Sequence, residues 1–123
     1  MGNGEAFSPT DLFATSLGIC GITTIAIKMK DMDINFDNTA VRVEKHMTTD
    51  LPRKVAKVIV EYTFAQKINE LYRDTIKKIA ESCPVALSIS PEVEKVYIYN
   101  FPDQLPLRFD FEIISPLSAS TFI

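Results

Sequence analysis

From Leu12 to Ile27 the chain is apolar or small at nearly every position and carries no charge. Ser8-Pro9-Thr10-Asp11, just before this run, has the grammar of a helix start. Ser8 caps, Pro9 suits the first helical position, and Asp11 closes a variant capping box. The helix is expected to run to about Lys30. Being apolar nearly all round, it must be buried on most faces, which requires a sheet or a partner subunit wrapped around it. Gly18 and Gly21 each cost about 1 kcal/mol in a helix interior. They point to close approach of another backbone near Cys20.

The period then changes from helical to two. Val41 and Val43 alternate with Arg42 and Glu44; Val58, Val60, Tyr62 and Phe64 alternate with Glu61 and Thr63. Asp50-Leu51-Pro52 between them reads as a turn, which gives two antiparallel strands. A second helix is expected from about Lys67, with Ile68, Leu71, Tyr72, Ile76, Ile79 and Ala80 on one stripe. Cys83 continues that stripe inward at the helix C-terminal end, and Pro84 breaks it. Val93 to Phe101 reads as a further strand. Leu105, Leu107, Phe109, Phe111 and Ile113 alternate as one more, followed by a tail. The pattern gives an α+β class and a single domain over residues 1–123.

Composition removes several classes of function. A net charge of −3 disfavours nucleic-acid binding through a basic surface. One histidine, His46, and two cysteines, Cys20 and Cys83, are too few for a four-ligand zinc site without carboxylates. They are also too few for a disulfide-stapled secreted module. Neither glycine-rich phosphate loop occurs. No metal or bound cofactor is expected. Met1 to Ala6 lacks a basic region before an apolar run, so no signal peptide is expected. The apolar run is short of a membrane span. These features predict a soluble, cytoplasmic protein with reduced thiols and no membrane or nucleic-acid partner.

Two buried cysteines are commonly small core residues. The alternative is a redox pair brought together where the two helices cross, since the spacing is far too long for a C-x-x-C motif. The local wording favours the pair. Ser8-Pro9-Thr10-Asp11-Leu12-Phe13-Ala14-Thr15-Ser16-Leu17-Gly18-Ile19-Cys20 strongly resembles the first cysteine helix of the OsmC/Ohr family. Cys83-Pro84-Val85, after an amphipathic helix, resembles that family's second cysteine motif. The resemblance covers about residues 4–101, with residues 102–123 as an extra strand and tail.

The resemblance implies a two-layer fold in which an antiparallel sheet wraps two central helices, assembled as an intertwined homodimer. It implies thiol-dependent reduction of organic hydroperoxides in oxidative-stress defence, with Cys20 as the peroxidatic thiol and Cys83 as the resolving one. A small dithiol or thiol would supply electrons. Family members carry an N-terminal β segment with an arginine that holds the thiolate; those strands are expected to be absent, and Arg42, Arg53, Arg73 and Arg108 do not match its position. Thr10 stands where the peroxidases place glutamate, so Thr10, Asp11 and Glu5 are the candidate supporting residues. Arg108 is a candidate substitute for the missing cation. Phe13 and Leu17 precede Cys20 on its helical side and are candidate walls of an apolar substrate pocket. The alternative function is an OsmC-fold protein without efficient peroxidase activity that binds a small apolar ligand at the dimer seam.

Overall fold

The computed structural model describes residues 7–104. Helix α1 spans Pro9–Lys28 and strands β1 and β2 span Ala40–Met47 and Val55–Thr63. Helices α2 and α3 follow at Arg73–Glu81 and Pro84–Ser88, and strand β3 at Glu94–Asn100. Short 3-10 turns occupy Glu70–Tyr72 and Pro102–Gln104. Glu5, Arg108 and the expected strand from Leu105 to Ile113 lie outside the described residues.

The start of α1 follows the sequence grammar. Ser8 Oγ accepts from the Asp11 N–H at 3.2 Å and Asp11 Oδ2 accepts from the Ser8 N–H at 3.1 Å. This reciprocal pair satisfies two of the donors a helix start leaves open. Lys45 Nζ on β1 donates to Asp11 Oδ1 at 2.5 Å, tying the helix start to the sheet.

The strands lie in the order β1-β2-β3. β1 and β2 are antiparallel, with Val43 opposite Val60 and Arg42 opposite Glu61. β3 is parallel to β2, with Tyr97 beside Val60 and Tyr99 beside Tyr62. The described sheet is therefore mixed, which corrects the all-antiparallel expectation. The physical reason is the connection: two helices between β2 and β3 carry the chain back along the sheet, and such a crossover delivers a parallel strand.

One sheet face is covered by helices. Val41, Val43, Val58, Val60, Tyr62 and Phe64 are buried there with Ala14, Leu17 and Ile25 of α1 and Ile76 and Ala80 of α2. α1 is long and apolar enough to cross a membrane by length and composition, yet one side of it lies in this core. Its other side is open among the described residues: Leu12, Phe13, Ile19 and Ile27 are all exposed. The helix is thus covered on one side where burial on most faces was expected.

The two glycines serve the sheet contact. A Cβ on Gly18 would stand 2.6 Å from Val43 Cγ2, and one on Gly21 would stand 2.0 Å from Tyr62 Oη. Side chains of the strands, and not another backbone, set the need for glycine. The second helix also starts later than expected. Asn69 accepts from the Leu71 N–H at 2.9 Å and opens a 3-10 turn. The tighter winding rotates Leu71 out to 79% exposure. Arg73 opens α2 and is buried. Its guanidinium donates to Ile68 O and to both carboxylate oxygens of Asp103, and lies 4.5 Å over the Phe101 ring. It is a packing clamp between α2 and the chain after β3.

Candidate active site

Cys20 and Cys83 meet where α1 packs against α2 and α3. Cys20 sits mid-helix and half-buried; Cys83 is fully buried, and both are reduced. The thiols lie near enough to influence one another's ionisation. Cys20 Sγ also lies 3.8 Å from Thr24 Oγ1, whose hydroxyl donates to Cys20 O at 2.7 Å.

Cys83 does not end a helix in the sense expected. It is the N-cap of α3, with extended backbone, Pro84 at the first helical position, and Sγ accepting the Ala86 N–H at 3.4 Å. The expected helix C-terminal end at this sulfur is thus also the start of a further helix. The chain reverses between Glu81 and Pro84, and the first turn of α3 offers its open N–H groups to the thiols. The Ala86 N–H donates to Cys83, and the Val85 N–H favours the ionised form of both thiols.

These contacts push the two thiols in opposite directions. Burial raises the Cys20 thiol, but the Val85 N–H, the Cys83 thiol and the Thr24 hydroxyl together outweigh it, and the net shift is down. Burial is also the leading influence on Cys83, where the Cys20 thiol adds to it and the net shift is up. Cys20 is thus the better thiolate and Cys83 the better reserve of thiol. Among the described residues, no lysine or arginine contributes to lowering Cys20. Backbone and side-chain donors do that work, a source that residue types alone do not announce.

The remaining candidates separate. Asp11 is engaged by the helix start and by Lys45, which together hold its carboxyl below the usual range, the Lys45 bond foremost. Thr10 Oγ1 bonds with Ser8 Oγ at 3.2 Å. Both belong to the α1 start, more than two helical turns before Cys20. Leu17 lies in the core at 0% exposure and Phe13 on the open side of α1. Arg42 pairs with Glu61 at 3.6 Å on the outer sheet face, and Arg73 is held by Asp103. His46 is exposed and pairs with Glu44.

Three tyrosines line the sheet beneath the thiols. Tyr62 donates to Gly18 O at 2.7 Å, and Tyr99 donates to Glu81 Oε2 at 2.9 Å. Tyr97 stacks on Tyr99, with centroids 6.2 Å apart and planes 10° apart. Burial pushes all three phenols well above their ordinary value. Their folded-state values exceed the unfolded value of about 10. The stability they contribute is therefore complete below that pH and is lost as pH rises through the folded-state values. The expected result is that their phenolate absorbance appears only together with alkaline loss of the circular dichroism signal. Phenolate formation by Tyr62, Tyr97 or Tyr99 near pH ~10 in a still-folded protein would count against this packing.

The comparisons with known proteins match this fold. The OsmC-like protein family model matches residues 2–95. The chain belongs to the OsmC-like family. Among solved structures, this OsmC-like chain is similar to a candidate osmotic stress induced and detoxification response protein from Psychrobacter arcticus 273-4. Identity is 43% and the TM-score 0.74, over 79% of this chain and 70% of that one. It shares the fold of an organic hydroperoxide resistance protein OsmC from Legionella pneumophila at 19% identity and TM-score 0.64, over 79% and 72% of the two chains. It shares it equally with the organic hydroperoxide resistance protein OhrB of Bacillus subtilis, at 16% identity and TM-score 0.64, over 80% and 74%. No curated protein matches the OsmC-like chain.

Proposed function

We propose that this OsmC-like chain is a thiol-dependent peroxidase that reduces organic hydroperoxides with Cys20 and Cys83. The observation that carries the reading is the unequal thiol pair: a donor-stabilised Cys20 beside a buried Cys83 held as thiol. A thiolate is the nucleophile peroxide chemistry needs, and a neighbouring thiol is what a sulfenic acid needs next. Cys20 thiolate attacks the terminal oxygen of ROOH, the O–O bond breaks, and RO⁻ leaves and is protonated to the alcohol. Cys83 then attacks the Cys20 sulfenic acid, forming the disulfide and releasing water. A small dithiol or thiol reduces the disulfide by exchange, and no bound cofactor enters. Phe13, Thr10, Asp11 and Leu17 contribute by shaping and anchoring α1 around the nucleophile. The role in stress defence accords with the names of the structural relatives.

The reading includes a homodimer in the cytoplasm. Leu12, Ile19 and Ile27 recur at helical spacing on the open side of α1, and a second copy of the same helix would remove that apolar stripe from water.

The test is consumption of cumene hydroperoxide with a dithiol reductant, wild type beside Cys20→Ser. The expected result is turnover in the wild type and, in Cys20→Ser, only the rate of the enzyme-free mixture. A wild type no faster than buffer would sink the reading and leave a scaffold whose cysteines are core residues.

A further inference from the structure

Among the described residues, the Tyr97 hydroxyl is the single buried side-chain polar atom without a hydrogen-bond partner. Leaving a buried hydroxyl unpaired costs free energy, and such exceptions call for an explanation. The other hydroxyls around it are engaged: Tyr62 on Gly18 O, Tyr99 on Glu81, and Thr24 on Cys20 O. Tyr97 packs against the same core as Cys20, Cys83 and Val85. Its ring is held by the stack on Tyr99 and by the register of β3 on β2, so its hydroxyl is fixed.

The peroxidase reading requires a proton donor. An alkoxide is a poor leaving group unless it is protonated as the O–O bond breaks. The contacts of Cys20 supply no lysine or arginine for this purpose among the described residues.

We propose that Tyr97 is a catalytic residue of this site, its hydroxyl donating first a hydrogen bond and then its proton to the leaving oxygen of a hydroperoxide under attack by Cys20. The Cys20 sulfur forms an S–O bond with the terminal oxygen and becomes a sulfenic acid. The O–O electron pair goes to RO, which takes the Tyr97 proton and departs as ROH. The Tyr97 phenolate then takes the Cys83 thiol proton, which prepares Cys83 to attack the sulfenic sulfur. The S–S bond forms, the S–O bond breaks, and the departing hydroxide leaves as water by taking up from solvent the proton that Cys20 released on ionising. The burial that raises Tyr97 keeps it protonated at neutral pH, and Cys83, Glu81 and Cys20 add to that shift.

The proposal rests on the peroxidase reading, and the test separates the two. Tyr97→Phe removes one oxygen and keeps the stacked ring. Single-turnover oxidation of Cys20 is followed with cumene hydroperoxide and with peracetic acid, whose carboxylate leaving group needs no proton. Relative to wild type, Tyr97→Phe should slow the cumene hydroperoxide reaction about 10²-fold while peracetic acid oxidation and iodoacetamide alkylation stay within about twofold. In the wild type, D2O should slow the cumene hydroperoxide reaction and not the peracid reaction, a readout that needs no variant. Equal slowing of both oxidants in Tyr97→Phe, or equal isotope effects, would mean a packing role and overturn the proposal. A fast wild type matched by a fast Tyr97→Phe overturns the proposal alone. A wild type inert to both oxidants overturns the peroxidase reading, and the proposal with it.

Discussion

Gly21→Ala is expected to destabilise the fold by about 2–4 kcal/mol, a fall in Tm of roughly 10 °C. The added methyl would stand 2.0 Å from Tyr62 Oη and 3.1 Å from Tyr62 Cζ. Tyr62 cannot yield cheaply. Its ring is fully buried, with Tyr99 at 5.8 Å and Phe64 at 6.4 Å between centroids. Overpacking of this kind costs about 1–3 kcal/mol. Displacing the hydroxyl also breaks its bond to Gly18 O, which strands a buried polar group at about 1–3 kcal/mol. Against this, alanine improves helix propensity by about 1 kcal/mol. Thr23→Ala, on the exposed side of the same helix, is the control: it gains propensity and meets no sheet residue. Thermal unfolding of the two variants beside wild type checks the argument, and a Gly21→Ala protein as stable as wild type would contradict the packing.

The same contact shows which parts of the fold could be read from the chain. Gly18 and Gly21 in an apolar helix signalled a close approach, but sequence could not name the element approaching. Backbone-to-backbone crossing and helix-on-sheet packing both require a missing Cβ. The capping box was legible because its partners, Ser8 and Asp11, are three residues apart and interact whatever the rest of the chain does. The alternation of β1 and β2 was legible because one face of each is buried. The direction of β3 was not. Strand direction is set by how the intervening helices return the chain, and no local pattern in Val93 to Phe101 encodes that.

Pro84 marks both a helix end and a helix start, and the pattern before it shows only the end. At Ser8-Pro9 a capping residue followed by proline marks a helix start. Cys83-Pro84 uses the same grammar, with sulfur in place of the hydroxyl oxygen. Because an amphipathic stripe led into Cys83, the proline read as an end. It is both: α2 stops at Glu81 and α3 starts at Pro84. The consequence falls on the chemistry. An end would set carbonyls against the thiols and a start sets N–H groups against them, and it is the Val85 and Ala86 N–H groups that face Cys20 and Cys83. Sequence pointed to both thiols, but backbone donors belong to no residue type and so left no mark in it.

That geometry makes the two substitutions of Cys83 differ. Cys83→Ser is expected to end turnover with a dithiol while leaving a single fast reaction with cumene hydroperoxide. No disulfide can form, so Cys20 stops at the sulfenic acid, and one equivalent of peroxide is consumed per chain. The serine hydroxyl keeps the N-cap of α3, since oxygen accepts the Ala86 N–H at least as well as sulfur does, and it keeps a donor toward Cys20. Cys83→Ala loses all three functions. The Ala86 N–H is left buried without its partner, α3 loses its cap at a cost of about 1 kcal/mol, and Cys20 loses the thiol that helps to lower it. The pH midpoint for alkylation of Cys20 by iodoacetamide should therefore lie below that of a free thiol in the wild type and rise in Cys83→Ala. Sulfenic acid trapped by dimedone, counted by mass spectrometry in the two variants, measures the first effect, and the alkylation profile measures the second. Sustained dithiol-dependent turnover in Cys83→Ser would show that the reductant attacks Cys20 directly and that Cys83 is only a cap.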